Sequence, residues 1–333
     1  MRKSKKFDFN LLLIVLIAGI AIMGIKFYAY FKTGSAAILG DALESLVNIF
    51  ASAFGLYSMR LSNLPQDKNH PYGHGKIEFF ASGLEGGFIL FASLGMAYAG
   101  VMNLVSRGVV SDLNLGILLS GASGLLNLLM GILLIKRSKK SGSLILKSDG
   151  KHLVSDFYST VALVGGLILI KLTGIQWIDS FMAIIFAFVV GYTGYKLLRQ
   201  AIAGLLDEAD FKMLSDLIDY LNNNRQDAWI DIHNLRVQKY GDQLHVDCHV
   251  TLPWYYSLNE VHAEITKIEA LINDHYKTHV ELFIHADPCL PSSCPICSIE
   301  ECPVRQHNFR SRLNWKMENL LPNQKHNLKA THE

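Results

Sequence analysis

Six long apolar stretches in the first 200 residues restrict the fold of this chain most strongly. About 20 apolar residues cross the hydrocarbon core of a bilayer, and 50% of the 333 residues are hydrophobic while only 18% are charged. This balance is typical of a membrane protein and not of a soluble domain. We predict a membrane bundle of six transmembrane helices within residues 1–206. The predicted spans are 10–31, 38–59, 79–105, 115–135, 144–172 and 178–198.

The distribution of Lys and Arg predicts how this bundle lies in the membrane. Basic residues cluster before the first span, after the second, in 136–140, and after the sixth. Positive loops stay on the cytoplasmic side, and an even number of spans puts both ends on one side. We therefore predict a multi-pass protein of the cell (inner) membrane with cytoplasmic termini. The net charge is only +2 and no basic stripe is interleaved with aromatics, so we expect no nucleic-acid partner.

The chain changes character after residue 206. Helical and strand patterns alternate in the order α-β-β-α-β, which favours a small cytosolic α+β domain over residues 207–288, with helices on one face of a sheet. The predicted elements are a helix at 214–221, strands at 229–240 and 243–252 joined by a Gly241–Asp242 turn, a helix at 258–276 and a strand at 280–285. We expect a Cys-rich segment at 289–303 and a flexible polar tail at 304–333.

Two predicted spans carry matching pairs of polar residues. Glu44 and Asn48 are four residues apart in the second span, and His152 and Asp156 are four apart in the fifth. Residues at this spacing share one face of a helix, and ionisable groups at membrane depth usually mark an ion path. If the two faces meet, four nitrogen and oxygen donors converge, as a tetrahedral divalent cation requires. The alternative is interhelical hydrogen bonding without a metal.

Further motifs resemble the cation diffusion facilitator family over residues 7–289. They are Pro65-x-Asp67-x-x-His70-x-x-Gly73-His74-Gly75-Lys76-x-Glu78, Trp177-Ile178-Asp179 and His285-Ala286-Asp287-Pro288. The resemblance implies a homodimeric antiporter that exchanges cytosolic divalent cations for protons, with ligand pairs on the second and fifth spans and a ferredoxin-like αββαβ domain. We therefore predict a proton-coupled exporter of divalent transition-metal cations and not an enzyme.

One departure from the family bears on the metal. Family members usually carry His-x-x-x-Asp or Asp-x-x-x-Asp in the second span, where this chain has Glu44-x-x-x-Asn48. The oxygen-rich set shifts preference toward manganese or iron, although His152 keeps zinc favoured. Since a ligand must lose its proton to bind metal, we expect His152, with an ordinary imidazole pKa of about 6.5, to carry the exchanged proton.

The resemblance also implies metal sites outside the spans. In the loop after the second span the candidates are Asp67, His70 and His74, although these side chains can instead position the third span. By resemblance Lys76 pairs with Asp207 across the boundary of the membrane domain. The family positions that bind metal at the dimer interface correspond to His233, His249, His262, His285 and Asp287. Along the predicted strand, His245, Asp247 and His249 share one face.

A cysteine cluster near the C terminus lies beyond the family core. Its members are Cys289, Cys294, Cys297 and Cys302, whereas Cys248 stands alone. Four thiols in so short a segment favour a structural zinc site, with an iron–sulfur cluster as the second choice. The remaining alternative is a set of free, oxidisable thiols.

Two functions of other classes compete with transport. A membrane-anchored metal sensor would use the same ligands without moving an ion. An intramembrane metallohydrolase would activate a metal-bound water, but the chain has no His-Glu-x-x-His motif. No Gly-x-x-x-x-Gly-Lys-Ser/Thr loop is present, which argues against ATP-driven pumping.

Overall fold

A computed structural model describes residues 2–62, 64–141, 144–240, 243–276 and 280–326. The chain divides into two compact units. The first, here called the membrane unit, comprises Met1–Arg60 and Phe79–Ile202; the second, the αβ unit, comprises Leu61–Glu78 and Ala203–Glu333. The loop after the second span thus belongs with the C-terminal half of the chain.

The membrane unit is built from six long helices. Their bounds are α1 Arg2–Thr33, α2 Ala36–Ser62, α3 Ile77–Val105, α4 Leu113–Ser141, α5 Leu144–Thr173 and α6 Trp177–Leu205. Each contains a stretch long and apolar enough to cross a membrane. Large apolar side chains such as Phe91 and Leu172 are more than three-quarters exposed, while Asp179 and Ser180 are buried. This distribution is the one expected of helices that face lipid tails, and the predicted bundle is confirmed.

Glycines allow two helix pairs to approach closely. A Cβ atom on Gly86 of α3 would lie 2.9 Å from the carbonyl oxygen of Gly194 on α6. A Cβ on Gly150 of α5 would lie 2.9 Å from the carbonyl oxygen of Gly131 on α4. Small residues at such crossings bring backbones into van der Waals contact, which drives helix association where lipid supplies no hydrophobic force. The α4–α5 crossing fixes the helix that carries His152 and Asp156.

Asp179, at the start of α6, holds the start of α2. Its carboxylate accepts hydrogen bonds from the Ser35 hydroxyl at 2.5 Å and the Ala36 amide at 2.7 Å. The first amides of a helix have no intrahelical partner and carry a partial positive charge. A buried carboxylate at this point therefore stabilises the N-terminus of the helix that bears Glu44 and Asn48.

The αβ unit has the predicted αββαβ order. Its elements are α7 Phe211–Asn223, β1 Asp231–Tyr240, β2 Gln243–Leu252, α8 Leu258–Tyr276 and β3 Val280–Pro288. The sheet order is β1-β2-β3, with β1 and β2 antiparallel and β2 and β3 parallel. Residues 244, 246, 248, 250 and 252 of β2 enter the core with both helices. The odd-numbered residues therefore lie on the opposite face. The ferredoxin-like prediction is confirmed, and the Gly241–Asp242 turn lies outside the described residues.

The segment after β3 corrects one expectation. A 3₁₀ turn at Pro291–Ile296 and a short helix, α9 Met317–Leu320, follow the sheet, and Trp315 is fully buried in the core of the αβ unit. The Arg225 guanidinium stacks on the Trp315 ring, 4.0 Å from its centroid, and donates to the Leu313 carbonyl. The prediction of a flexible polar tail is therefore wrong for residues 304–326, because these contacts attach the segment to the domain.

Candidate metal sites

The two polar faces predicted in the membrane unit meet in the structure. The Asn48 amide donates to Asp156 Oδ2 at 3.4 Å, and His152 Nε2 lies 3.8 Å from Asp156 Oδ1. Glu44, one turn before Asn48, is near enough to Asp156 and His152 to interact electrostatically with both. Glu44, His152 and Asp156 do not all lie within 4.8 Å of one another, so a bound ion would draw them closer.

A buried cation beside this site was not predicted. Lys26 of α1 is almost completely buried, and its ammonium donates to Asp41 Oδ1 and to Ser45 Oγ of α2, each at 2.8 Å. It also interacts electrostatically with Glu44 and Asp156. The first span contains a lysine inside an otherwise apolar run, and Asp41 lies three residues before Glu44 in the second span. A charged residue at membrane depth needs a partner, so these two residues together were the signal.

The loop cluster forms a compact set of donors in the αβ unit. One atom each from Asp67, His70 and His74 lies within 4.8 Å of the others, and Asp67 lies 3.1 Å from His70 Nδ1 and 3.5 Å from His74 Nε2. The backbone amide of His70 and then that of Asn69 donate to the Asp67 carboxylate and lower its pKa. The segment is a turn, with Gly73 at φ +83°, and not a helix.

Three contacts attach this loop to the rest of the unit. The Lys76 ammonium donates to Asp207 Oδ2 at 2.8 Å and lies 4.9 Å from the centroid of the Tyr240 ring. The Tyr72 ring stacks against Tyr240 at 5.9 Å. The Lys76–Asp207 pair is thus formed, but both residues belong to the αβ unit, so the pair lies within that unit and is not a bridge between domains.

A row of histidines crosses the face of the sheet opposite the core. His233 of β1, His249 of β2 and His285 of β3 are register partners. Asp287 Oδ2 lies 3.3 Å from both His233 Nε2 and His249 Nδ1, and Asp287 Oδ1 lies 3.6 Å from His285 Nε2. We call His233, His249, His285 and Asp287 the histidine row.

The first member of the row has the properties of a ligand. Burial lowers the pKa of His233 against the opposing influence of Asp231 and Asp287, and neutral imidazole is the form that binds metal. Its buried Nδ1 has no hydrogen-bond partner among the described residues, which is unusual for a buried polar atom.

Two other histidines of the domain lie apart from the row. His262 is exposed near the start of α8, the helix that packs on the core face. That His262 binds metal together with the row stays a prediction. His245 is buried and lies 3.1 Å from Glu281, with the Tyr240 ring 4.6 Å away between centroids. This environment gives His245 a packing role on the face it shares with His249.

All four clustered cysteines line one small cavity beside the start of β1. Cys289 follows β3, Cys294 and Cys297 are at the 3₁₀ turn, and Cys302 lies on the next loop. Cys248 is buried in the sheet core, where desolvation and then Asp247 raise its pKa to about 12. The structure therefore separates the lone structural thiol from the cluster.

Models of two domains of one protein family match this chain. The model of the cation efflux transmembrane domain matches residues 11–206, and that of the cytoplasmic domain of cation efflux proteins matches residues 216–289. The described residues contain six helices able to span a membrane and a separate αβ domain in which His and Asp side chains cluster. The molecule is therefore of the class of membrane cation transporters. It belongs to the cation efflux family.

Individual relatives agree with this assignment. An uncharacterised transporter of Synechocystis, sll1263, is 34% identical over 271 residues, covering 81% of this chain and 87% of the relative. The cation-efflux pump FieF of Shewanella oneidensis is 27% identical, with 81% and 90% covered. FieF of Escherichia coli is 27% identical, with 80% and 87% covered. These alignments span nearly the full length of each relative.

Proposed function

We propose that this protein exports divalent transition-metal cations from the cytosol in exchange for protons. Zinc is the favoured cargo, and manganese and iron are the alternatives. The observation that carries the proposal is the contact between Asn48 of α2 and Asp156 of α5, because it joins the two polar faces that together offer four donors. The loss of one anionic ligand at Asn48 supports the wider metal range.

The coupling to protons follows from the chemistry of the donors. Glu44, His152 and Asp156 bind a cation only when deprotonated, so a proton and the metal compete for the same atoms. Loading from the cytosol releases protons, and protonation from the far side releases the ion as the bundle alternates its access. Imidazole ordinarily exchanges its proton near neutral pH, so we propose His152 as the carrier.

The αβ unit is proposed to bind metal at the cytosolic side. The histidine row offers three imidazoles and a carboxylate, and the loop cluster offers two imidazoles and a carboxylate. Two copies of the chain would form a homodimer through this domain, as the family's cytoplasmic domain suggests. Metal in the row would then report cytosolic concentration to the dimer. The basic loops support cytoplasmic termini in the cell's inner membrane.

Reconstituted vesicles test the proposal. The purified full-length chain is placed in vesicles that enclose a metal-sensitive dye, and an outward proton gradient is imposed. We expect zinc accumulation that collapses with the gradient and is abolished in Asp156→Ala. The matched control is Thr193→Ala on α6, whose hydroxyl bonds the Val189 carbonyl of its own helix, and it should transport normally.

Two results would contradict the proposal, the first on transport and the second on the cargo site. If vesicles bind zinc tightly but never accumulate it under any gradient, the protein acts as a membrane-anchored sensor. If Asp156→Ala transports like the unmodified chain, the cargo path lies elsewhere. Parallel runs with Zn²⁺, Mn²⁺, Fe²⁺, Co²⁺ and Cd²⁺ rank the cargo.

A further inference from the structure

The four clustered cysteines near the C terminus line one small cavity. Cys289, Cys294, Cys297 and Cys302 line a cavity of about 30 Å³, together with Ile230 and Trp254. Most of its lining residues follow residue 289, where the match to the family's cytoplasmic domain ends. A space this small admits a single ion or one to two waters, whereas a cluster of four irons and four sulfides needs far more room.

Arg305 holds the segments that carry these cysteines. Its guanidinium donates to the carbonyls of Cys294 at 3.3 Å and Cys297 at 3.1 Å, and also to that of Ile299. A planar guanidinium that bonds several carbonyls fixes the backbone around the cavity.

The C-terminal extension, residues 289–326, has only a small apolar core around the cavity. Near the cavity its buried apolar cluster consists of Ile230, Ile296 and Cys297. Small segments with so small a core are usually stabilised by a disulfide or a metal, and the described cysteines are all unpaired. No three of the sulfur atoms lie within 4.8 Å of one another, so an ion would pull the 3₁₀ turn and the next loop together.

We propose that the four clustered cysteines bind one Zn²⁺ ion as a tetrahedral thiolate site that fastens the C-terminal extension to the αβ unit. Four sulfur–zinc bonds form, and each remaining thiol proton passes to solvent, with no change of oxidation state. The site is separate from the cargo ligands in the membrane unit and consists of soft donors, which select zinc over manganese. Its role is structural.

Cobalt substitution tests this proposal on the full-length protein in detergent. Thiolate ligands give cobalt an intense near-ultraviolet charge-transfer absorption that imidazole and carboxylate ligands do not give. We expect this band in the unmodified chain and its loss in Cys294→Ser/Cys297→Ser, with zinc content falling by one ion per chain. The matched control Cys248→Ala changes the lone core thiol, and His233→Ala/His285→Ala changes the histidine row; both should keep the band.

Further readouts separate the alternatives. Hydrogen exchange in 289–326 should rise in the double serine variant while the peptides of β2 stay protected, which shows that the domain itself remains folded. The proposal is overturned if cobalt produces no charge-transfer band, or if the double serine variant keeps it. It is also overturned if mass spectrometry of anaerobically purified protein finds these cysteines paired as disulfides, or if the protein carries iron with acid-labile sulfide.

Discussion

Changing Asn48 to Asp probes the membrane site with one atom replaced. The amide nitrogen of Asn48 lies 3.4 Å from Asp156 Oδ2, so the substitution would set two carboxylate oxygens at about that distance. At an effective dielectric constant of about 20, two bare charges this close repel by about 5 kcal/mol. Since one pH unit corresponds to about 1.4 kcal/mol, the metal-free pair should retain one additional proton at neutral pH.

Metal binding must then expel that proton. Calorimetric titration of the full-length protein with zinc, in buffers of different ionisation enthalpy, counts the protons released. We expect Asn48→Asp to release about one proton more per ion than the unmodified chain. Its zinc affinity should therefore gain an additional factor of about ten for each unit that the pH rises.

Asn48→Ala is the matched control for this experiment. It removes the amide without adding a charge, so it should leave the proton count unchanged, and the metal sites of the αβ unit contribute equally to both variants. Equal proton release by Asn48→Asp and Asn48→Ala would refute the reasoning, because it would mean that residue 48 and Asp156 do not share an ion.

Three further predictions follow from other contacts. Gly150→Ala should reduce transport strongly by pushing α5 from α4, while Gly165→Ala on the same helix, where a Cβ meets nothing within 4 Å, should not; vesicle flux measures both. The ammonium of Lys325, which is less than one-third exposed, lies 3.3 Å from the carboxylate of the histidine row. Lys325→Ala should therefore raise the zinc affinity of the row about two- to fivefold, the equivalent of about 0.5–1 kcal/mol, whereas unchanged affinity in a calorimetric titration would exclude competition. A hydrogen bond from His326 to Asp231 raises the pKa of His326. This contact therefore stabilises the segment fully below the ordinary imidazole pKa, and the stabilisation is lost as pH rises through the raised pKa. Hydrogen-exchange protection factors near residue 326 should fall over that pH range in the unmodified chain and should not do so in His326→Gln.

Much of the architecture was predictable because local patterns determine it. Apolar runs of sufficient length define the spans, and period-two alternation from Leu244 to Leu252 defines both the core face of β2 and the face that carries His249. Spacing alone placed His152 and Asp156 on one helical side. That this side meets Asn48 was an expectation from resemblance, since no local signal says which helices touch.

The contacts that escaped prediction join residues distant in the sequence. Lys26 and Asp41 are 15 residues apart and meet across two helices, so neither residue alone indicates a pair. In the C-terminal segment, polar composition suggested a flexible tail, but the average composition of a segment does not reveal a single residue that is buried in the domain core. Trp315 was the available signal, because a tryptophan in a polar stretch has a large apolar surface to bury.

The same long-range contacts explain why the extension can bear on metal binding. Arg225 and Trp315 hold its middle, and its last described residues reach the sheet, where Lys325 lies against Asp287 and His326 bonds Asp231. An ammonium at this carboxylate supplies positive charge that an arriving cation would have to displace. The anchored extension therefore places a positive charge at the histidine row, and we expect the proposed metal affinity of the row to depend on a segment that follows the family domain in the chain.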